Sequence, residues 1–130
     1  IAGLRVDCYD AGGASVSVPY RYITKNPFRS VYFAPLSMAA ELSSGLLALE
    51  AVQQAAKPVS MLVMEMRAYY LKKAKSRITF RCNDRLALQK TVAATLSSNE
   101  GQTFVSSVEG FDTQGNNVAR FEITWTFKQK

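Results

Sequence analysis

Glu41 is the residue whose type and neighbours are best suited to chemistry. It lies in a proline-free stretch, LSMAAELSSGLLALEAVQQAA, that follows Pro35 and ends at Ala56. Drawn as a helix, this stretch places Glu41 on one face with Ser44, Gly45, Ala48 and Val52. A carboxylate on such a face, which looks buried, could act as a general base, because burial raises the pKa of a carboxyl group.

Other common catalytic groups are scarce. The sequence has no histidine, and its two cysteines, Cys8 and Cys82, lie far apart. These facts exclude Ser-His-Asp and Cys-His mechanisms and leave little to complete a metal site. We therefore predict no metal and no cofactor, and we interpret both cysteines as small, buried strand residues. If the protein is an enzyme, a carboxylate is the base we expect.

The overall composition is that of an ordinary globular protein: 130 residues, 48% hydrophobic and 20% charged, with a net charge of +6. The positive residues are spread out, except for a cluster formed by Lys72, Lys73, Lys75 and Arg77. This cluster is either a solvated turn or a contact for phosphate groups. We do not expect nucleic-acid binding, because no dense basic patch is interleaved with aromatics. No apolar run is long enough to span a membrane and no signal-peptide pattern is present, so we expect one cytoplasmic domain over residues 1–130.

The stretch around Glu41 predicts a long helix over about residues 35–56. Pro35 suits a first helical position, and Pro58 cannot extend the helix. Apolar residues almost encircle the predicted axis, which is typical of a buried helix. We expect its solvent-facing side to be marked by Ser43, Glu50, Gln53 and Gln54.

The rest of the chain has mostly the alternating pattern of β-strands. Strands are predicted near residues 4–9, 16–22, 61–72, 77–82, 103–111 and 119–127, with a turn at 112–117. A second helix is predicted over about 84–98, capped by Asn83 or Asp84, although Thr91 to Leu96 could also form a strand. Short connections between the late strands favour antiparallel pairing. We therefore predict an α+β fold in which an antiparallel sheet wraps around the long helix.

Three stretches together resemble the hotdog-fold acyl-CoA thioesterase superfamily. They are Asn26 ahead of the helix, AAELSSG from Ala39 to Gly45, and DTQGNNVARFEITW from Asp112 to Trp125. More narrowly, the chain is similar to an uncharacterised branch related to the phenylacetyl-CoA thioesterase type. The resemblance implies a hotdog fold, a thioester substrate such as an acyl-CoA, and a homodimer or dimer of dimers with its sites at the subunit interface. It also implies a catalytic carboxylate at Glu41 and site roles for Asn26 and for the helix start near Ala34 to Ser37.

Thioester hydrolysis needs an activated water and hydrogen-bond donors for the developing oxyanion. Under this hypothesis Glu41 activates the water, Ser44 orients it, and the amides of Leu36 and Ser37 polarise the carbonyl, with Ala34 leaving those donors uncapped. Tyr32 and Phe33 would line the acyl pocket. The CoA phosphates would meet Lys72, Lys73, Lys75 or Arg77.

The sequence also leaves alternatives open. Tyr32-Phe33-Ala34-Pro35 stands where the phenylacetyl-CoA type has His-Gly-Gly, so a non-catalytic hotdog module that binds an acyl chain or acyl-CoA is the second hypothesis. Glu41 could instead be a structural carboxylate paired with Arg67 or with a backbone amide across a dimer. The remaining candidates have structural interpretations too: Ser44 and Gly45 as helix-packing residues, Tyr32 and Phe33 as core residues, and Asn26 as a turn residue before Pro27.

Overall fold

A computed structural model describes residues 3–20 and 33–130 of the chain. In chain order its elements are β1 (Arg5–Tyr9), β2 (Ala14–Val18), α1 (Phe33–Gln53), β3 (Val59–Tyr70), β4 (Ile78–Cys82), α2 (Arg85–Ser98), β5 (Gln102–Phe111) and β6 (Asn117–Gln129). Two predicted site residues, Asn26 and Tyr32, lie outside the described ranges.

The six strands form one antiparallel sheet in the order β1-β2-β4-β5-β6-β3, and α1 packs against one of its faces. The alternation predicted for the last strand is confirmed: Phe121, Ile123, Trp125 and Phe127 are buried on the face that α1 covers. The ring of Phe121 meets that of Phe80 edge to face, with centroids 5.6 Å apart. The predicted α+β arrangement of a sheet around a long helix is therefore correct.

The central helix begins and ends slightly earlier than predicted, at Phe33 and Gln53. Pro35 is tolerated inside the first turn because the first N–H groups of a helix have no intrahelical partner. At the other end, the amides of Gln54 and Ala55 still bond to the carbonyls of Glu50 and Val52, at 3.0 and 3.2 Å. The chain turns there because Pro58 disfavours helical geometry in the residue before it.

The second helix is confirmed over Arg85–Ser98, so the strand alternative for residues 91–96 is wrong. Asp84 precedes it but makes no side-chain cap bond. Its carboxylate instead accepts a hydrogen bond from Ser106 Oγ at 2.7 Å. Asn99 ends the helix in the left-handed region, at φ 56°, which asparagine tolerates better than most residues.

Two strand predictions need correction. The ladder between β3 and β6 shifts between Val63 and Glu65, so Met64 is exposed and does not alternate with the core residues. Cys82 is buried as predicted, but Cys8 is exposed. Cys8 lies on β1, an edge strand whose residues are all exposed.

Gly13 lies where the β1–β2 hairpin approaches the end of β4. A Cβ atom at Gly13 would overlap the carbonyl oxygen of Cys82 and would lie 2.8 Å from its carbonyl carbon. We expect Gly13→Ala to destabilise the fold by roughly 1–3 kcal/mol, the usual cost of overpacking, because backbone cannot move aside as a side chain can. Urea denaturation would measure this loss.

Gly12→Ala is the matched control for that prediction. Its added Cβ would meet side chains and not backbone: a guanidinium nitrogen of Arg81 at 3.3 Å and a carboxylate oxygen of Asp10 at 3.5 Å. An equal loss of stability in both variants would show that steric contact with β4 is not the cause.

Candidate functional site

The residues that α1 buries and exposes differ from those that the sequence predicted. The side against the sheet is built mainly from small residues, and its buried members are Pro35, Leu36, Ala39, Ala40, Ser43, Ser44, Leu47, Ala48 and Ala51. The opposite side carries what we call the outer strip: Met38, Glu41, Leu42 and Leu49. Met38 and Leu49 are 48% and 44% exposed, so large apolar side chains face away from the sheet.

Glu41 is exposed at the edge of this outer strip, so the prediction that it lies on a buried face is wrong for the single chain. Ser43, predicted on the solvent side, is fully buried. The small residues on the inward side allow the sheet and the helix to approach closely.

No described side chain donates a hydrogen bond or forms an ion pair with the Glu41 carboxylate. Arg67 was one structural partner considered for it. Its guanidinium instead bonds to Glu65 at 2.9 Å, on the sheet face away from α1. Within the described chain, the carboxylate of Glu41 is thus available to a ligand or to another protein surface.

Ser44 points into the core, although it lies one turn from Glu41. Its Oγ accepts a hydrogen bond from the indole Nε1–H of Trp125 at 2.8 Å, and both residues are buried. This geometry favours the packing interpretation of Ser44 over a role in orienting water. The neighbouring Gly45 also lies against the indole, since a Cβ atom there would be 3.4 Å from the ring.

The helix begins two residues earlier than predicted, which changes which of the predicted backbone amides lie in its first turn. Because α1 begins at Phe33, the amide of Ser37 already falls within the helical bonding pattern, four residues after the Phe33 carbonyl. The Ser37 hydroxyl donates to the same carbonyl at 2.9 Å. The amides of Phe33, Ala34 and Leu36 belong to the first turn, at the positive end of the helix dipole.

Three of the four predicted phosphate contacts lie together. Lys72, Lys73 and Lys75 line a recess of about 360 Å³ between the β3–β4 and β5–β6 connections. Buried Ala74 anchors the lysine segment. Arg77 is directed elsewhere: its guanidinium donates to Ser17 Oγ at 2.8 Å.

The recess is not purely positive, because Asp112 also lines it. The carboxylate of Asp112 accepts from the amides of Asn116 and Gln114 and from the Asn116 side chain, at 2.8 to 3.1 Å. These hydrogen bonds, those from Asn116 first, lower the pKa of Asp112. These hydrogen bonds within the turn favour the charged form of Asp112. The three lysines are the cationic side chains that line the recess and could contact an anion.

A polar cluster at the other end of α1 was missed by the sequence analysis. Glu50 was expected to face solvent, but its carboxylate accepts hydrogen bonds from Tyr9 Oη at 2.6 Å and from Arg85 Nε at 2.7 Å. The Arg85 guanidinium also lies 4.7 Å above the Tyr9 ring. The cluster joins α1 to α2 and β1. Its three members come from distant parts of the chain, so no local spacing could have revealed it.

The described residues contain neither a metal-binding cluster nor a membrane-spanning helix. In residues 3–20 and 33–130, no group of three Cys, Asp or Glu side chains is arranged to hold a metal ion. Neither of the described helices is long and apolar enough to cross a membrane.

The family model described as a domain of unknown function, DUF4442, matches residues 2–127. The chain is a DUF4442 protein. Among curated proteins, none matches the sequence at a significant level.

Solved structures with the same fold include several thioesterases. A Pseudomonas aeruginosa protein of unknown function, described as a probable thioesterase, is 20% identical with a TM-score of 0.84, over 99% of this chain and 85% of that one. A Haemophilus influenzae thioesterase is 12% identical with a TM-score of 0.70, over 98% and 80%. A variant of a Staphylococcus aureus thioesterase is 18% identical with a TM-score of 0.71, over 98% and 94%. At these identities the likeness establishes that the DUF4442 chain has the predicted hotdog fold.

The Glu50 cluster predicts a dependence of stability on pH. The hydrogen bond from Tyr9, followed by those of Arg85, lowers the pKa of Glu50 below its ordinary value of 4.5, although burial opposes the shift. A lowered pKa stabilises the fold above the ordinary value, and this stabilisation is lost as the pH falls through 4.5 and below. We expect Glu50→Gln to be less stable than the wild type at pH 7, and the difference to shrink on acidification.

Thermal unfolding at a series of pH values would measure this effect. Glu100→Gln is the control, because Glu100 is exposed and takes no part in the cluster. A difference between Glu50→Gln and the wild type that stays constant from pH 7 to pH 3 would contradict the assignment.

Proposed function

We propose that this DUF4442 protein is an acyl-CoA thioesterase in which Glu41 acts as the general base. The observation that carries the proposal is an exposed carboxylate on the outer strip, beside the exposed apolar residues Met38 and Leu49, without a described partner. A base beside apolar surface is what thioester hydrolysis requires, since the acyl group needs apolar contact and the water needs a proton acceptor. The hotdog fold shared with thioesterases is consistent with this role.

We further propose that the site is completed by a second copy of the chain. Glu41 lies eight residues after the start of α1, which corresponds to about 12 Å along the axis. A base and an oxyanion donor must both lie about 3 Å from the reacting groups. One helix therefore cannot supply both from its own start and from Glu41, whereas two helices side by side can.

The edge of β3 is the surface that supports such a pairing. β3 has twelve residues and pairs with β6 on one side, and no other strand of the described ranges pairs with it. Its exposed apolar residues include Leu62 and Met64. Edge-to-edge pairing of two β3 strands would satisfy its backbone groups and could cover the outer strip of α1. Glu41 would then become buried at the interface, as the sequence predicted.

The lysine recess is the proposed binding site for the anionic part of the substrate. Lys72, Lys73 and Lys75 are exposed around a space of about 360 Å³, which suits the phosphates of CoA. The acyl group would lie on the outer strip, with Phe33, 66% exposed, at its start. The narrower resemblance to the phenylacetyl-CoA type stays a prediction, so an aromatic acyl group belongs among the substrates to be tested.

We expect Glu41→Gln to reduce thioester hydrolysis by at least ~100-fold, because general-base catalysis contributes about 10²–10⁴. Thiol release would be followed with short, medium, long and phenylacetyl-CoA substrates. Glu50→Gln is the matched control, since it makes the same substitution on the same helix at a carboxylate already paired with Arg85. Sedimentation of the same samples would give their mass, and an active monomer would contradict the two-copy site.

Turnover that survives in Glu41→Gln would reject Glu41 as the base. If the wild type hydrolyses no substrate, isothermal titration with a non-hydrolysable acyl-CoA analogue would decide the second hypothesis. Saturable binding would then favour a non-catalytic acyl-CoA module, and its absence would reject both functions.

A separate prediction concerns the carrier. Replacing Lys72, Lys73 and Lys75 by glutamine should raise the KM for acyl-CoA and weaken its dependence on salt, because charge-assisted contacts to phosphate are lost. The turnover number should remain, since the recess is not expected to touch the thioester. Lys90→Gln, on the exposed side of α2, is the control. An unchanged KM in the triple variant would exclude the recess as the phosphate site.

A further inference from the structure

The burial of α1 does not by itself decide which side faces the sheet. Its buried side holds Leu36 and Leu47 but also four alanines, while Met38 and Leu49 on the other side are about half exposed. Apolar burial alone would favour turning the larger side chains inward, since the gain grows with the apolar area removed from water. A helix with apolar residues on nearly every side therefore needs another interaction to fix its rotation.

The hydrogen bond between Trp125 and Ser44 is such an interaction. It joins β6 to α1 across the core at 2.8 Å, with Ser44 fully buried and Trp125 3% exposed. Rotation of the helix would leave the indole N–H and the serine hydroxyl buried without partners, which is unfavourable.

Ser43 provides an internal comparison. It is also fully buried, but its hydroxyl donates to the Ala40 carbonyl of the same helix at 2.7 Å. That bond turns with the helix and is unaffected by rotation. The contacts of Glu50 do reach other elements, but they lie at the partly exposed end of α1, where water can replace them.

We infer that Trp125 and Ser44 are positioning residues that set the rotation of α1 and thereby the direction of Glu41. Glu41 precedes Ser44 by three residues, so their directions around the axis differ by about 60°. When Ser44 is held against Trp125, Glu41 is held on the outer strip. The inference relies on the proposed function only for the consequence to catalysis, because the rotation itself can be measured without a substrate.

The test uses the fact that the sequence contains a single tryptophan. Production with 3-benzothienylalanine in place of tryptophan would keep the shape of the side chain and remove only the N–H donor. Ser44→Ala would remove the acceptor, and Ser43→Ala is the matched control. Backbone amide spectra would report the conformation of α1, and steady-state kinetics would report Glu41.

We expect the benzothienyl protein and Ser44→Ala to show doubled or broadened amide resonances along α1, including Glu41, while β5 and β6 stay sharp. In the kinetics, kcat should fall on the order of 100-fold with little change in KM, as for a displaced catalytic group. Ser43→Ala should show neither effect. Should Ser44→Ala fail to fold, the benzothienyl protein still tests the same bond.

A single sharp set of α1 resonances in the benzothienyl protein, identical in pattern to the wild type, would overturn the inference. So would the same broadening in Ser43→Ala, because the effect would then follow from losing any buried hydroxyl. A wild type without thioesterase activity would instead reject the proposed function, and the spectra would still decide the positioning role.

Discussion

The need to cover an almost uniformly apolar helix governs this structure. The sheet covers the side of α1 that is rich in alanine and serine, and it leaves Met38, Glu41 and Leu49 outside. The edge of β3 that no described strand pairs with lies on the same molecule. The second copy proposed above would cover both this exposed backbone and the exposed apolar surface.

The polar groups of the core then have a specific task. Hydrophobic contact is non-directional, whereas the bond from Trp125 to Ser44 has one geometry. Glu50 provides a second attachment, with Tyr9 and Arg85, near the end of the helix. The helix is thus held by packing along its length and oriented by a small number of hydrogen bonds.

The hydrophobic periodicity of the sequence, together with the residues that begin and end helices and strands, predicted most of the fold. The alternation around Phe121 to Phe127 and the end of α2 at Asn99 were correct because they depend on local geometry, whereas the predicted side-chain cap at the start of α2 does not form. The exposure of Glu41 and the burial of Ser43 could not be predicted. In a helix that is apolar on nearly all sides, the local pattern does not indicate which side the sheet covers. The predicted burial of Cys8 was wrong for a related reason. Cys8 is exposed because β1 is an edge strand, and the order of strands in a sheet cannot be read from local alternation. The indole of Trp125 did offer a signal: a buried N–H needs an acceptor, and Ser43 and Ser44 were the nearby candidates.

The place of β6 in the sheet has a consequence for how the chain acquires its structure. β6 follows every other described element in sequence, yet it lies between β5 and β3. Until it is made, β3 lacks its only described neighbour and α1 lacks the indole that orients it. We therefore expect the pairing of β3 and the orientation of α1 to be completed only after β6 has been made, whereas β2, β4 and α2, which precede β6, can already pack against α1.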